Sequence, residues 1–282
     1  MSRFLPADFA ATRPVALLAG KGRYPEILLT RLQADGLSVR LMGYEGETDP
    51  AFMARVPETD RAMIKVGQLG KMLKWLKRWE AGYAIMAGQI TPGRLFRGLH
   101  PDLKAITLLA RLKERNAETI FGSIATEIEK IGVTLLDARC WMDAELAGEG
   151  VLAQGSFTPT DDELAHGVRI AREIARLDVG QGVVVRRGTV LAVEAFEGTD
   201  AMLQRAGTFK TDSTLFVKTT KPRQDTRFDV PVFGARTLAV MRENHLAAAA
   251  LEAGGCLILD REEVLAEARR AKITILGYPR QG

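Results

Sequence analysis

The sequence predicts an α/β protein with a parallel-sheet amino-terminal domain and a mixed α/β carboxy-terminal domain. Three features of the 282 residues lead to this prediction. Short apolar runs alternate with helical patterns through the first half, a stretch rich in Gly, Thr and Asp follows, and the second half has a different order of elements. We place the boundary just before that stretch, which gives domains 1–134 and 135–282.

The amino-terminal domain alternates strand and helix. Strands are predicted by PVALLA (14–19), LSVRLMG (37–43), MIKVG (63–67) and YAIMAG (83–88). Pro25 opens a helix that Gly36 closes, and residues 68–80 carry apolar side chains on one helical face. Helical spacing over 102–131 and a strand at 133–138 complete the domain. This order favours a parallel sheet covered on both faces, in a Rossmann-like arrangement.

The carboxy-terminal domain is predicted to begin with a long helix capped by Asp161 or Asp162. Two β-branched runs around Arg187-Gly188 indicate a hairpin. A helix from about residue 199 follows, and then a strand, STLFVK. The Ala-rich run at 245–252 is expected to form a packed helix. The chain then continues with the strand CLILD, a helix from 261 to 272 and the strand ITILGY.

Composition excludes several classes of protein. Hydrophobic residues make up 46% and charged residues 26%, which excludes a disordered chain or a fibre. A net charge of +4 without clustering does not favour a nucleic-acid partner. No apolar run has the length of a signal peptide core or a membrane span, so we expect a cytoplasmic protein. Cys140 and Cys256 lie in apolar stretches and are expected to be buried free thiols, as in a reducing compartment.

Two glycine-containing turns follow strands of the first domain. Gly20, Lys21 and Gly22 connect the first strand to the first helix, where backbone amides can bind a phosphate. Gly88 and Gln89 follow another strand. Since the carboxyl ends of parallel strands meet at one edge of a sheet, we expect both turns to face the same crevice. In both turns, glycines that serve only the turn are the alternative.

The loop from Lys218 to Asp229 is the densest polar cluster in the chain. Its basic side chains suit diphosphate oxygens, and its carboxylates could hold a metal ion or orient water. A solvated charged loop explains the same composition equally well. The polar residues of the loop are Lys218, Lys221, Arg223, Gln224, Asp225, Arg227 and Asp229.

Two further segments carry candidate ligand-binding residues. Glu194, Glu197 and Asp200 form an acidic group, for which capping of the next helix is the alternative role. Gln181 lies in the turn that begins at Asp178, where the glycines could simply end a helix.

Three of these segments resemble the signature segments of the LpxI-type UDP-2,3-diacylglucosamine pyrophosphatases. They are DVGQG from Asp178, AVEAFEGTDAML from Ala192 and KPRQDTRFDVP from Lys221. Looser matches in the first half extend the resemblance over nearly the whole chain. The resemblance implies a metal-dependent hydrolase of the lipid A pathway, which splits a UDP-linked diacylglucosamine into UMP and the sugar 1-phosphate, lipid X.

The resemblance also implies roles for individual residues. The aspartate of the family's R-hydrophobic-D-hydrophobic-P stretch falls on Asp229, to which we assign metal binding or water activation. We expect Arg227 and Asp229 to share one face of an extended segment, with Phe228 pointing the other way. Arg227 and Lys221 are the other predicted catalytic residues. Glu197, Asp200 and Asp225 are the further predicted metal ligands. The predicted substrate-binding residues are Gly20, Lys21, Gly22, Gly88, Gln89, Gln181, Thr199, Lys218 and Gln224.

The same resemblance sets the expected cofactor and partners. Mg²⁺ or Mn²⁺ is the expected metal, and a lipid-linked UDP-sugar is the expected substrate. We expect peripheral contact with a membrane and no nucleic-acid partner, and a homodimer is compatible with the sequence.

The chain departs from the family in two places, which keeps other functions open. The family commonly has Gly-Asp-Asp-Ala where this chain reads NAET at 116–119, and Gly-Asn where it reads Gly88-Gln89. The lost carboxylate motivates an alternative function, a non-catalytic or repurposed binder of nucleotide-sugars or lipids. A dinucleotide-dependent oxidoreductase is a third hypothesis based on the first glycine loop, but Tyr44 follows the second strand where a ribose-binding acid would be expected.

Overall fold

The computed structural model describes residues 2–91, 101–114 and 116–280. The chain forms two compact units. The first unit comprises Met1–Asp143 and the short segment Asp225–Asp229, and the second comprises Ala144–Gln224 and Val230–Gly282. The end of the first unit lies later in the chain than the expected boundary at 134/135, because the strand Thr134–Leu135 pairs within its sheet.

The first unit contains a five-stranded parallel sheet, which confirms the Rossmann-like prediction. The strand order is β3-β2-β1-β4-β5. The central strand is fully buried and pairs in register with a strand on each side. The strands are β1 Val15–Ala19, β2 Val39–Tyr44, β3 Arg61–Ile64, β4 Tyr83–Ala87 and β5 Thr134–Leu135. The helices are α1 Arg23–Ala34, α2 Pro50–Met53, α3 Leu69–Arg78, α4 Leu103–Arg111 and α5 Ala117–Glu129.

The second unit contains a six-stranded mixed sheet, in the order β6-β13-β11-β9-β7-β8, and a two-stranded sheet of β10 and β12. This confirms the predicted mixed architecture, including the hairpin at Arg187. The strands are β6 Gly150–Ala153, β7 Gly182–Arg186, β8 Thr189–Val193, β9 Leu215–Lys218, β10 Val232–Phe233, β11 Ala248–Glu252, β12 Leu257–Ile258 and β13 Thr274–Tyr278. The helices are α6 Asp161–Arg176, α7 Thr199–Gly207, α8 Ala235–Glu243 and α9 Arg261–Arg270.

The helix predicted over 245–252 is wrong, because Ala248–Glu252 forms strand β11. All five residues of β11 are buried, and the strand pairs in parallel with β9 on one side and β13 on the other. A strand covered on both faces reads as a continuous apolar run, which cannot be told from a short buried helix by periodicity. Burial in the sheet overrides the helical preference of alanine.

The predicted cap of α6 is also wrong, because Thr160 takes that position. Its side chain accepts a hydrogen bond from the backbone N–H of Glu163, whose carboxylate accepts one from the N–H of Thr160. Asp161 and Asp162 lie in the first turn, where negative charge is favourable.

The two cysteines are buried free thiols, as predicted. Burial raises the pKa of both Cys140 and Cys256 to about 12, so neither forms the reactive thiolate at neutral pH. Within the ranges described above, no helix is both long and apolar enough to cross a membrane.

Candidate functional site

The two glycine turns of the first unit lie against each other at the carboxyl edge of the sheet. The backbone N–H of Lys21 donates to the carbonyl of Gln89 at 2.9 Å, and the N–H of Gln89 donates back at 3.0 Å. A Cβ on Gly20 would lie 2.6 Å from the Gln89 carbonyl oxygen, and one on Gly88 would lie 2.7 Å from that of Lys21. These two glycines therefore permit the close approach of the turns.

Gly22 has a different environment. It is the N-cap residue of α1 with φ +100°, and a Cβ there would meet nothing within 4 Å. Gly198 caps α7 of the second unit in the same way, with φ +82°. Neither helix start has a side-chain cap, so its first-turn amides can bind an anion.

A lysine, a threonine and a glutamate form a connected group beside the start of α1. The ammonium of Lys21 donates to the Thr91 hydroxyl at 2.8 Å, and this hydroxyl donates to a carboxylate oxygen of Glu47 at 2.9 Å. Glu47 is buried and also accepts from the backbone N–H of Thr91. We call Lys21, Thr91 and Glu47 the Lys21 triad.

The second unit contains a group of the same composition beside the start of α7. The ammonium of Lys218 donates to the Thr199 hydroxyl at 3.0 Å, and this hydroxyl donates to Glu194 at 2.6 Å. Lys218 is only 7% exposed and lies at the carboxyl end of β9. We call Lys218, Thr199 and Glu194 the Lys218 triad.

Both triads are suited to binding phosphate. In each, one member adjoins the glycine cap of a helix: Lys21 precedes Gly22, and Thr199 follows Gly198. An ammonium carries three N–H donors, so a lysine held by one threonine can still donate to a phosphate oxygen. The triad fixes the lysine, and the adjacent amides supply further donors.

A buried carboxylate fixes the start of the loop that follows β9. Glu252, at the end of β11, is 3% exposed and accepts hydrogen bonds from the hydroxyls of Thr219 and Thr220, each at 2.6 Å. The hydroxyl of Tyr278 donates to the Lys218 carbonyl at 3.0 Å, and burial raises the pKa of this tyrosine. The chain therefore leaves the sheet at Lys218 in a fixed direction.

Three predicted site residues of the second unit belong to one network. Lys221 forms an ion pair with Asp178, and its backbone N–H donates to the Gln224 side chain at 2.7 Å. The Gln181 carbonyl accepts from the N–H of Thr219 at 3.0 Å. The loop is thus held to the turn at 178–181 by an ion pair and a hydrogen bond. A charged loop that is only solvated would not need these contacts.

The extended conformation expected for residues 227–229 is wrong, because the segment forms a turn. The N–H groups of Phe228 and Asp229 both donate to the Asp225 carbonyl, at 3.2 and 3.0 Å. The Arg227 guanidinium also contacts the Asp225 carboxylate at 2.6 Å, a pairing that a turn permits and an extended segment does not favour. The strand-like alternation of side chains therefore does not apply.

This turn packs on helix α5 within the first unit. Arg227 contacts Glu129 of α5 at 2.6 Å, and the Phe228 ring stacks on Phe121 with centroids 5.7 Å apart. Asp229 is half-buried at the end of the turn. The predicted apolar packing of Phe228 is thus present.

The Arg227 guanidinium lowers the pKa of the Asp225 carboxyl, and Asp225 in turn raises the pKa of Arg227. We therefore expect the stability difference between the wild type and Asp225→Asn to depend on pH. A carboxyl with a lowered folded-state pKa stabilises the fold above its unfolded value, roughly 3.9 for Asp, and this stabilisation is lost as the pH falls through the folded value.

Urea unfolding at pH 7 should show Asp225→Asn less stable by about 1–2 kcal/mol, a value reduced because the side chain is 25% exposed. The difference should shrink below pH 4. A difference that stays constant from pH 7 to pH 3 would show that the ion pair is not its source.

Three of the four predicted metal ligands are paired with arginine. Besides Asp225, Glu197 contacts Arg205 at 2.7 Å and Asp200 contacts Arg236 at 2.6 Å. Among the residues whose placement is described, no group of three His, Cys, Asp or Glu side chains could hold a metal ion. Mg²⁺ is often held by one or two carboxylates together with substrate phosphates. Asp225 and Asp229, on one turn, are the candidates for such a site, and metal binding stays a prediction.

The segment that departs from the family motif begins a helix. The Asn116 side chain accepts from the backbone N–H of Thr119 at 2.8 Å and so caps α5, and Glu118 lies exposed in the first turn. These residues stabilise the helix that carries Phe121 and Glu129.

Glu47 and Thr91 were not predicted from the sequence. Each follows the carboxyl end of a strand, β2 and β4, which is the signal that could have found them. Glu252 was missed because its strand was interpreted as a helix.

Fold and site together define an α/β protein in which each unit holds a Lys–Thr–Glu triad beside a glycine-capped helix start. Comparison with known proteins then identifies the family. The LpxI N-terminal domain matches residues 14–144, and the LpxI C-terminal domain matches residues 148–276. The chain belongs to the LpxI family, which confirms the resemblance seen in the sequence.

One individual relative covers nearly the whole of this chain. The UDP-2,3-diacylglucosamine pyrophosphatase LpxI of Caulobacter vibrioides is 32% identical over 286 residues, which cover 95% of this chain and 99% of that protein. Among solved structures, an epimerase of Methanothermobacter thermautotrophicus aligns over 96% of this chain and 81% of its own, at 12% identity with a TM-score of 0.30.

Proposed function

We propose that this protein hydrolyses the diphosphate of UDP-2,3-diacylglucosamine to UMP and 2,3-diacylglucosamine 1-phosphate, with Mg²⁺ or Mn²⁺ as cofactor. The observation that carries the proposal is the pair of Lys–Thr–Glu triads, each beside a glycine-capped helix start, in a chain that matches 99% of the length of a named pyrophosphatase. A diphosphate is the part of this substrate that such groups recognise.

The proposed roles follow from the chemistry of each group. Each triad lysine, Lys21 in the first unit and Lys218 in the second, is proposed as a phosphate ligand. An ammonium group beside a diphosphate neutralises negative charge that increases as the anhydride bond breaks. Lys221 and Arg227 are proposed as further phosphate ligands, although both also make ion pairs in the fold. A bound divalent cation would supply additional charge neutralisation.

Asp229 is the proposed water-orienting or metal-binding carboxylate. It lies on a turn that Arg227 fixes against α5, so its position does not depend on a flexible loop. A carboxylate held in this way can accept a hydrogen bond from the attacking water and direct it at phosphorus. We propose that Asp225, at the start of the same turn, assists in metal binding.

A non-catalytic binder of nucleotide-sugars or lipids is the second candidate. The observation that favours it is that Glu197, Asp200 and Asp225 each form an arginine pair, which leaves fewer carboxylates for a metal. The triads would serve such a binder equally well.

Measurement of UMP release from UDP-2,3-diacylglucosamine by the purified protein separates the candidates. We expect UMP release with Mg²⁺ or Mn²⁺, loss of release with a chelator and recovery when the metal is restored. Binding of the substrate without UMP release under all conditions would establish the binder. Undiminished turnover after exhaustive chelation would contradict the metal requirement alone.

Because the substrate is a lipid, we also propose that the protein meets it at a membrane surface. The cytoplasmic location and the homodimer stay predictions.

A further inference from the structure

An apolar cavity of about 90 Å³ lies within the first unit. Its walls come from residues at the carboxyl ends of β2, β3 and β4 and from helices α3, α4 and α5. Two polar side chains, Tyr44 and Gln68, contribute to the lining. The Tyr44 hydroxyl donates to the sulfur of Met72, and Gln68 accepts from the N–H of Lys65. Burial raises the pKa of Tyr44 to about 12, so the lining is uncharged at neutral pH.

The cavity lies next to the Lys21 triad, whose lysine is proposed to bind phosphate. Ile90 lines it, whereas Gln89 on one side bridges to Lys21 and Thr91 on the other belongs to the Lys21 triad. Polar and apolar environments therefore meet within three consecutive residues. A ligand with an anionic group and an aliphatic chain matches this change of environment.

The cavity also adjoins the turn that carries Asp229. Phe121 of α5 forms part of the cavity wall, and its ring stacks on Phe228, the residue before Asp229. Only the stacked rings of Phe121 and Phe228 would thus separate an acyl chain in the cavity from the proposed catalytic segment.

Helix α4 carries apolar side chains on its exposed face as well as on the face that lines the cavity. Ala105, Leu108 and Leu109 line the cavity, yet Leu103 and Ile106 on the same helix are 84% and 49% exposed. Exposed apolar side chains in a group commonly mark a binding surface. Beside an apolar cavity, they suit a lipid whose chains are only partly enclosed.

We propose that this cavity binds the terminal part of one acyl chain of the lipid-linked substrate, an inference that rests on the proposed function for the identity of that substrate. The remaining part of the ligand would extend past Ile90 toward the Lys21 triad. Burial of aliphatic carbon here would contribute to binding without any specific polar contact.

Two alanine positions of the first unit provide a matched test. Ala105 is 6% exposed and lines the cavity, whereas Ala51 of α2 is exposed and does not line it. Ala105→Phe fills the cavity, and Ala51→Phe makes the same change on the surface. We expect cis-parinaric acid, a fluorescent fatty acid, to bind Ala105→Phe at least tenfold more weakly than the wild type and Ala51→Phe within twofold of it.

Circular dichroism would show whether Ala105→Phe folds; if it does not, Ile124→Phe fills the same cavity from α5 and takes its place. Wild-type affinity in the folded cavity variant, or equal losses in the two alanine variants, would overturn the proposal.

Hydrolysis of substrates with progressively shorter acyl chains gives a second readout. We expect kcat/KM of the wild type to fall roughly threefold to fourfold for each methylene lost from a buried chain, and this dependence to flatten in Ala105→Phe. A wild-type enzyme indifferent to chain length would overturn the cavity assignment and leave the proposed function intact. If no substrate is hydrolysed, the proposed function fails, and fatty-acid binding still tests the cavity.

Discussion

Replacement of Asp229 by asparagine is expected to lower kcat for UMP release by roughly 10²–10⁴, the usual loss for a positioned acid or base. Asparagine keeps the size of the side chain but removes the negative charge that would orient water or hold a metal. The turn should persist, because it depends on backbone hydrogen bonds to Asp225 and on the Asp225–Arg227 ion pair. We therefore expect an unchanged unfolding midpoint and a KM within a few-fold of the wild type.

Asp162→Asn is the matched control, since Asp162 is exposed in the first turn of α6 and belongs to no proposed site. Steady-state kinetics of both variants, with circular dichroism to verify folding, would decide the role of Asp229. A folded Asp229→Asn enzyme with near-normal turnover would refute the assignment and direct attention to Asp225.

The parallel sheet of the first unit could be predicted because its signal is local. Each strand is a short apolar run, and each helix carries its own start and stop signals, as Pro25 and Gly36 do for α1. The error at 245–252 has the opposite origin. A run of alanines is compatible with helix and strand alike, and only its two neighbouring strands decide between them.

The candidate site was predictable where its residues follow one another in sequence. The turns at Gly20 and Gly88 could be expected to meet, since both follow parallel strands. Glu47 and Thr91 meet through side chains from separate connections, and neither lies in a recognisable motif. The sequence contains many acidic residues, and it does not show which of them will contact the threonine that binds Lys21.

The turn at residues 225–229 shows a further limit. Alternation in the sequence suggested an extended segment, but an ion pair two residues apart, between Asp225 and Arg227, favours a turn. The choice between a turn and an extended segment also depends on packing against α5, where Phe121 and Glu129 contact the turn. Helix α5 lies about a hundred residues away in the chain, so a local reading of the sequence does not include these contacts.

Replacement of Lys218 by methionine is expected to lower kcat/KM for UMP release by roughly 10²–10³, the loss typical of one donor to developing negative charge. Methionine has a similar length and suits a buried position, so folding should survive. The Thr199 hydroxyl can still donate to Glu194 in this variant, because that bond does not involve the lysine. The loss should therefore reflect the missing ammonium group and no wider disruption of the triad.

Lys77→Met, on the exposed face of α3, is the matched control and should retain wild-type kinetics. Thr199→Val tests the positioning role separately: Lys218 keeps its charge but loses the acceptor that holds it, and we expect a smaller loss, on the order of tenfold. We expect kcat/KM to be lowest for Lys218→Met, intermediate for Thr199→Val and normal for Lys77→Met, with thermal unfolding measured in parallel to verify folding. Equal activities of Lys218→Met and Lys77→Met would show that the buried ammonium stabilises the fold without contacting substrate, and the phosphate-binding role of the Lys218 triad would then be rejected.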